Sequence, residues 1–229
     1  MKVNANFAIL SIAIVIIIIL MVLGLIYFYY PKESANSAEY TIKEINNFLS
    51  HEECDLIIKL ATEHGLKKSG LYEGNKDEYD ETVRKSENTW LEDGDHPTIA
   101  EISKRVAKLV NIPVSHQESL QVVHYGVGGK YEPHFDACKD DKKKCERMNG
   151  KSGARYMTVL IYLNTVEEGG GTRFPEINKI VKAEKGKAVV FQNVDPSTEK
   201  VLPKALHGGD PVLKGEKWIC NKWIHIKPL

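Results

Sequence analysis

A His-x-Asp pair at His134 and Asp136, together with His207 further along the chain, provides the residue types that bind a metal ion. Two imidazoles and one carboxylate are the ligand set of mononuclear non-haem Fe(II) oxygenases, where they leave one face of the metal open. On a strand, residues two apart point to the same face, so His134 and Asp136 could reach one ion together. Lys217 follows His207 and adds a fixed cation, which suits a dicarboxylate bound at the open positions.

The pair alone is a weak signal, because a His and an Asp at this spacing are more often buried or capping residues. Its neighbourhood makes the metal site the better interpretation. Four segments carry this neighbourhood: residues 84–90 read RKSENTW, 120–136 read LQVVHYGVGGKYEPHFD, 167–175 read EEGGGTRFP, and 207–226 read HGGDPVLKGEKWICNKWIHI.

Together these segments resemble the catalytic domain of the prolyl 4-hydroxylases, which are 2-oxoglutarate- and Fe(II)-dependent enzymes that hydroxylate prolines in peptides. The resemblance runs from about residue 40 to the end of the chain. It implies that the three metal ligands and Lys217 form the catalytic set, and that Tyr125 and Thr172 join Lys217 in binding 2-oxoglutarate. Without the resemblance, Tyr125 would be interpreted as a core aromatic residue.

The resemblance also implies a second group of residues that bind the peptide. Proline-rich peptides are already extended as polyproline II helices, and aromatic grooves bind them at a low entropic cost. Residues 70–90 are long, polar and glycine-containing, and they are interpreted as a lid that orders over substrate. The alternative is a surface loop on which Trp90 packs locally. The implied peptide-binding residues are Arg84, Ser86, Trp90, Tyr131, Arg155, Trp223 and His225.

The implied reaction is hydroxylation of peptidyl proline at C4 in proline-rich or collagen-like sequences. It consumes O2 and is coupled to oxidative decarboxylation of 2-oxoglutarate to succinate and CO2, with ascorbate keeping the iron reduced. Alternatives are hydroxylation of lysine, hydroxylation of a proline in a signalling protein, and a non-catalytic peptide-binding module. Lys217 and the stretch YGVGGKYEPHFD favour the collagen-type and plant-type branch, and the presence of all three ligands argues against the non-catalytic module.

The sequence patterns predict an α+β fold with a double-stranded β-helix, or jelly-roll, core that N-terminal helices buttress. Ser50 and Glu53 form a capping box at the start of one helix, and apolar spacing over residues 97–110 predicts a second. The formal net charge is zero, which argues against a nucleic-acid binder. Strands are predicted at residues 120–125, 131–136, 156–163, 187–192 and 217–226.

Residues 7–30 are almost uninterrupted apolar residues without a charge, long enough to span a bilayer as a helix. A cleaved signal peptide is the alternative, although its apolar core is usually shorter, about 7–15 residues. We therefore predict a signal anchor at residues 1–30, a linker at 31–39 and the oxygenase domain at 40–229. The chain would be a single-pass membrane protein whose catalytic domain lies in the endoplasmic reticulum lumen or the secretory pathway.

Four cysteines, together with a secretory-type N-terminus, suit an oxidising compartment. Cys138 and Cys145 bracket a short charged loop and could close it as a disulfide beside Asp136. Four reduced thiols are the alternative. The chain leaves no room before residue 40 for a further folded domain, so we expect a stand-alone catalytic unit, able to act as a monomer without a disulfide-isomerase partner.

Overall fold

The computed structural model describes residues 19–22, 40, 42–73, 76–139, 145–146 and 149–229. The chain divides into two compact units, Met1–Tyr40 and Thr41–Leu229. Apart from a helical stretch at 19–22, the predicted anchor and linker lie outside the described residues. Within the described part of the chain, no helix has the length and apolarity needed to cross a membrane. The anchor therefore stays a prediction, whereas the second unit carries all the residues predicted to do chemistry.

Two helices of the second unit begin and end where the sequence predicts. Helix α1, His51–His64, starts at a capping box in which Ser50 Oγ accepts from the Glu53 N–H and the Glu53 carboxylate accepts from the Ser50 N–H. Helix α2, Pro97–Val110, ends at Asn111, whose backbone is left-handed with φ 56°. Asparagine tolerates this conformation better than most residues, which explains why the helix stops there.

The larger sheet is antiparallel and has seven strands, numbered here along the chain. The helices pack on its outer face. In spatial order the strands are β1 (Lys43–Ile45), β13 (Ala188–Gln192), β9 (Arg155–Tyr162), β16 (Lys217–His225), β7 (Leu120–Tyr125), β6 (Glu87–Leu91) and β2 (Lys67–Lys68).

A second antiparallel sheet of five strands completes the jelly-roll core. In spatial order its strands are β12 (Lys179–Val181), β11 (Thr172–Phe174), β14 (His207–Gly209), β8 (Lys130–His134) and β5 (Arg84–Lys85). Two short two-stranded antiparallel sheets accompany it: β10 (Glu168–Gly169) with β15 (Val212–Lys214), and β3 (Leu71–Glu73) with β4 (Lys76–Glu78).

Strand β16 carries different kinds of side chain on the two faces of the larger sheet. Trp218, Cys220 and Ile224 join the apolar cluster that contains the buried faces of both helices. Their neighbours on the opposite face point away from the helices, as the two-residue period of a strand requires. Burying each large apolar side chain contributes about 1.5–3 kcal/mol, so this layer fixes the sheet firmly. The opposite face of β16 is therefore free to carry polar groups.

The prediction of a lid at residues 70–90 is wrong for the second half of this segment. Arg84–Lys85 and Glu87–Leu91 are strands β5 and β6, paired with β8 and β7 respectively. The sequence ENTWL looks polar, but Thr89 and Leu91 alternate inward and are buried, which is the pattern of an ordinary half-buried strand. Trp90 therefore projects from a sheet and not from a loop.

Candidate active site

The register of two neighbouring strands brings the predicted metal ligands together. His134 ends β8 and His207 begins β14, and the two residues are direct partners in the antiparallel pair. Asp136 lies in the bend just beyond β8 and not on the strand itself, yet it still points to the same side. One ligand atom from each of the three residues lies within 4.8 Å of the other two.

Backbone carbonyls fix the protonation pattern of both histidines. His134 Nδ1 lies 2.8 Å from the Glu132 carbonyl oxygen, and His207 Nδ1 lies 2.9 Å from the Ala205 carbonyl oxygen. A carbonyl can only accept, so each Nδ1 carries the proton and each Nε2 presents a lone pair. Burial also lowers the pKa of His134 below its ordinary value, which favours the neutral ring.

Asp136 supplies the negative charge of the cluster. Its Oδ1 lies 3.8 Å from His134 Nε2, and its Oδ2 lies 3.6 Å from His207 Nε2. Burial opposes ionisation of the carboxyl, but the two histidines whenever they are protonated, the Arg155 guanidinium and a hydrogen bond from Thr158 outweigh burial, so the pKa of Asp136 stays below its ordinary value. Two neutral imidazoles and one carboxylate on one side of a cavity fit Fe(II).

A cavity of about 600 Å³ opens beside these ligands, with Lys217 in its wall. Lys217 is 2% exposed, and burial lowers its pKa to about 8. Its Nζ lies 3.5 Å from the Gly171 carbonyl oxygen and 5.3 Å from the centre of the Tyr125 ring. A buried ammonium is costly without an anion beside it, so this end of the cavity suits a carboxylate.

The other two residues predicted to bind 2-oxoglutarate lie at the same end of the cavity. Tyr125 is the cross-strand partner of Lys217, and Thr172 begins β11. Both line the cavity. The Tyr162 hydroxyl donates to Thr172 Oγ1 over 2.7 Å, so a buried phenol fixes the threonine side chain. The structure thus brings Lys217, Tyr125 and Thr172 together as the sequence predicts.

Aromatic rings and guanidinium groups form the wall on the other side of the cavity, called here the peptide wall. The rings of Trp90 and Trp223 lie 5.8 Å apart, and the Arg155 guanidinium carbon lies 3.7 Å from the Trp223 ring centre. Arg84 lies 4.6 Å from the centre of the Tyr131 ring. These five residues line the cavity.

Two predicted peptide-binding residues lie behind the peptide wall and not on the cavity surface. Ser86 Oγ accepts a hydrogen bond from Arg84 Nε over 3.0 Å. His225 does not line the cavity, and its Nδ1 lies 2.8 Å from the Gly153 carbonyl oxygen. Both residues therefore support cavity residues in this structure.

Glu118 is a site residue that the sequence analysis misses. Its carboxylate accepts from Arg155 Nε and Nη2 over 2.5 and 2.9 Å, and it lies 2.8 Å from His225 Nε2. Burial raises its pKa, but these two partners lower it by more, so the net pKa lies below the ordinary value. The one available signal was indirect: an arginine in a buried groove needs a carboxylate partner.

The disulfide between Cys138 and Cys145 is confirmed. It follows Asp136 by two residues, and Cys138 lines the cavity. Cys54 and Cys220 are buried free thiols. Burial raises the pKa of Cys54 to about 11, which makes it a poor nucleophile.

Comparisons with known proteins agree with this geometry. Residues 120–225 match the 2OG-Fe(II) oxygenase superfamily, a span that contains every candidate site residue except Arg84, Ser86, Trp90 and Glu118. Fold and site together therefore define a 2-oxoglutarate-dependent dioxygenase.

Relatives narrow the class to a family. Probable prolyl 4-hydroxylase 10 of Arabidopsis thaliana is 40% identical over 200 residues, which cover 79% of this chain and 67% of that protein. Prolyl 4-hydroxylase subunit alpha-3 of Rattus norvegicus is 40% identical over 182 residues, which cover 79% of this chain and 32% of the subunit. The viral collagen prolyl hydroxylase of Paramecium Bursaria Chlorella virus-1, solved with 2OG, superposes with a TM-score of 0.67 at 32% identity, covering 84% of this chain and 99% of the viral chain. The chain belongs to the prolyl 4-hydroxylase family.

Proposed function

We propose that this protein hydroxylates peptidyl proline at C4 in proline-rich or collagen-like sequences, using O2 and 2-oxoglutarate. The observation that carries the proposal is the cluster of half-buried His134 with buried Asp136 and His207, which lines one cavity together with Lys217 and an aromatic wall. Family membership supports the same reaction.

Each side of the cavity has its own task in this proposal. His134 Nε2, one oxygen of Asp136 and His207 Nε2 would hold Fe(II). The bound ion would supply the O2 chemistry that couples proline hydroxylation to the conversion of 2-oxoglutarate to succinate and CO2. Lys217 binds the distal carboxylate of 2-oxoglutarate, because a dicarboxylate offsets the cost of its buried charge. Thr172 and Tyr125 fix the same carboxylate by hydrogen bonding. These residues exclude water and set the orientation of the cosubstrate.

The peptide wall binds the substrate. Trp90 and Trp223 offer flat apolar faces that suit an extended proline-rich chain. Arg155 and Arg84 provide donors for peptide carbonyl groups, and Tyr131 stacks on His134 at a centroid distance of 3.6 Å, next to the reacting position. Trp223 Nε1 is buried without a hydrogen-bond partner among the described residues, so a peptide acceptor would satisfy it.

Product analysis tests the proposal. The full chain is incubated with Fe(II), 2-oxoglutarate and either a Pro-Pro-Gly repeat peptide, a polyproline peptide or a lysine-containing collagen-like peptide. We expect one added oxygen on proline, located by fragmentation mass spectrometry, and peptide-stimulated CO2 release. The His207→Ala variant is the control and yields neither product. Oxygen found on lysine alone would redirect the assignment to a lysyl hydroxylase, and CO2 release that no peptide stimulates would contradict peptide hydroxylation.

Ascorbate is proposed to sustain turnover by returning oxidised iron to Fe(II). We expect wild-type product formation to stop after a limited number of turnovers without ascorbate and to resume when it is added. Equal total product with and without ascorbate, measured at the same enzyme concentration, would remove it from the list of cofactors.

We also propose that residues 1–30 anchor the protein in the membrane, with the catalytic unit acting as a monomer in the endoplasmic reticulum lumen or secretory pathway. The Cys138–Cys145 disulfide supports an oxidising compartment. Protease treatment of microsomes that carry a C-terminally tagged full chain tests the topology. We expect the tag to be digested only after detergent opens the microsomes, and digestion of the tag in intact microsomes would place the catalytic unit on the cytosolic side. Sedimentation of the detergent-solubilised chain tests the monomer.

A further inference from the structure

Behind the metal triad, two buried polar side chains extend from Asp136 into the protein. Thr158 lies on β9 and Asn193 directly follows β13, and each is 1% exposed. Neither residue lines the cavity. Thr158 faces the interior between the sheets, whereas its neighbour Val159 packs in the helix-covered apolar layer.

The hydrogen bonds of this pair have a defined direction. Asn193 Nδ2 donates to Thr158 Oγ1 over 2.8 Å, and Thr158 Oγ1 donates to Asp136 Oδ2 over 2.6 Å. An amide NH2 can only donate and an ionised carboxylate can only accept. The single hydroxyl proton of Thr158 therefore points at Asp136, and the amide of Asn193 holds it in that orientation.

The backbone keeps both side chains in place. Thr158 is paired on one side with Phe191 of β13 and on the other with Trp223 of β16, so it occupies a central strand of the larger sheet. The Asn193 N–H donates to the Tyr156 carbonyl oxygen over 2.8 Å. Neither residue can move without breaking the sheet, so the Thr158 hydroxyl is fixed before any metal binds.

Asn193 keeps its orientation at a cost. Its Oδ1 is buried and has no hydrogen-bond partner among the described residues. Leaving a buried acceptor unpaired is unfavourable. Turning the amide over would let Oδ1 accept the Thr158 proton, but Asp136 would then lose its donor. The observed orientation is the one that serves the carboxylate.

We infer that Thr158 and Asn193 are positioning residues of the metal site, which fix the rotation of the Asp136 carboxylate and occupy Oδ2. This favours binding of the ion through Oδ1 alone. The inference rests on the proposed function, because the bound ion is the Fe(II) of that proposal. Mutating a residue that hydrogen-bonds to a metal ligand typically weakens metal binding about 10- to 100-fold.

Equilibrium binding of Co(II), a redox-stable probe with a visible spectrum, tests the inference on the full chain in detergent without any turnover. We expect Thr158→Val to raise the Co(II) dissociation constant about 10- to 100-fold and to change the visible band, whereas Thr158→Ser stays within about threefold of wild type. Asn193→Ala should raise it about threefold to tenfold. Because Asn193 acts through Thr158, the double variant should bind no more weakly than Thr158→Val alone.

Thr89→Val is the matched control, because Thr89 is also a buried strand residue whose hydroxyl is hydrogen-bonded, to His64 Nδ1 over 3.0 Å, away from the cavity. It should bind Co(II) like wild type. If wild type itself does not bind Co(II), the proposed function fails. If wild type binds Co(II) and the Asn193→Ala variant binds it equally well, only the positioning role is refuted. This outcome can be read even if the Thr158→Val variant does not fold. Equal weakening by Thr158→Ser and Thr158→Val would also refute it.

Discussion

The two sides of the cavity are held in place by different kinds of contact. On the metal side, backbone carbonyls orient His134 and His207, and Asp136 accepts from a buried threonine. On the peptide wall, Arg155 lies against Trp223 at 3.7 Å and Trp90 remains 36% exposed. The metal side is fixed by hydrogen bonds to backbone and buried polar groups, whereas the peptide wall combines ring stacking with the ion pair between Arg155 and Glu118 and is partly open at Trp90.

This difference matches what each side has to recognise. An ion and a small dicarboxylate need defined donors and charges, and buried polar groups must be paired or neutralised by the ligand. A proline-rich peptide offers flat rings and few donors, which stacked aromatic surfaces bind without a fixed hydrogen-bond pattern. We therefore expect changes on the metal side to remove chemistry and changes on the peptide wall to remove substrate preference.

Loss of a metal ligand should give the largest effect. In His207→Ala, both peptide-stimulated and peptide-independent CO2 release should fall to background, because the remaining two ligands no longer cap the ion. Release of labelled CO2 from 2-oxoglutarate measures both reactions, and circular dichroism verifies the fold. Retained peptide-independent release would show that the metal side is not where the iron binds.

The Lys217→Ala variant should weaken binding of 2-oxoglutarate without weakening binding of the metal ion. Losing a charge-assisted hydrogen bond of about 1.5–3 kcal/mol should raise the KM for 2-oxoglutarate about 10- to 100-fold. Co(II) affinity should stay near wild type, since Lys217 does not contact the ion in this proposal. A KM for 2-oxoglutarate that does not change would assign the lysine a purely structural role.

Trp223→Ala should affect the peptide wall alone. Removing a buried aromatic side chain that contributes about 2 kcal/mol to peptide binding should raise the KM for a proline-rich peptide about 30-fold. Peptide-independent CO2 release should change little. Comparing both rates in one preparation checks this. Equal losses in the two rates would mean that the two sides of the cavity are not energetically separate.

The pH dependence of 2-oxoglutarate binding should report on Lys217. Its pKa in the free protein is about 8, below the ordinary value because of burial. The ammonium is present below that pH and is lost above it, so affinity should fall about tenfold from pH 8.5 to 9.5. Binding titrations of the Co(II)-loaded protein measure this change, with Lys217→Met as the control. The same fall in Lys217→Met would locate the titration elsewhere.

Periodic features of this chain could be predicted from its sequence, and isolated polar partners could not. Helix α1 follows from a capping box and α2 from apolar spacing, because both signals are local. His134 and His207 could be paired only through resemblance, since their contact depends on the register of β8 and β14. Glu118, Thr158 and Asn193 belong to no motif, and their roles become visible only when distant strands bring them beside Arg155 and Asp136.

The strands that were missed are short and rich in glycine or charge. His207–Gly209 and Thr172–Phe174 form strands because neighbouring strands pair with them, not because of their own propensity. Gly208 illustrates the reason, since an added Cβ would lie 2.9 Å from the Tyr131 carbonyl oxygen. A glycine there lets β14 approach β8 closely, which brings His207 to His134.

Glu118→Gln should give the smallest effect and test how far the peptide wall depends on buried charge. The variant keeps the shape of the side chain but weakens its hold on Arg155, so the KM for peptide should rise about fivefold, in line with a loss near 1 kcal/mol. Co(II) and 2-oxoglutarate binding should stay as in wild type. Glu216→Gln is the matched control, because Glu216 lies 2.9 Å from His124 Nε2 on an exposed surface. An unchanged peptide KM would show that stacking on Trp223 alone orients Arg155. Weakened Co(II) binding would show that the two sides of the cavity are coupled, through the contact between Arg155 and the backbone carbonyl of Asp136.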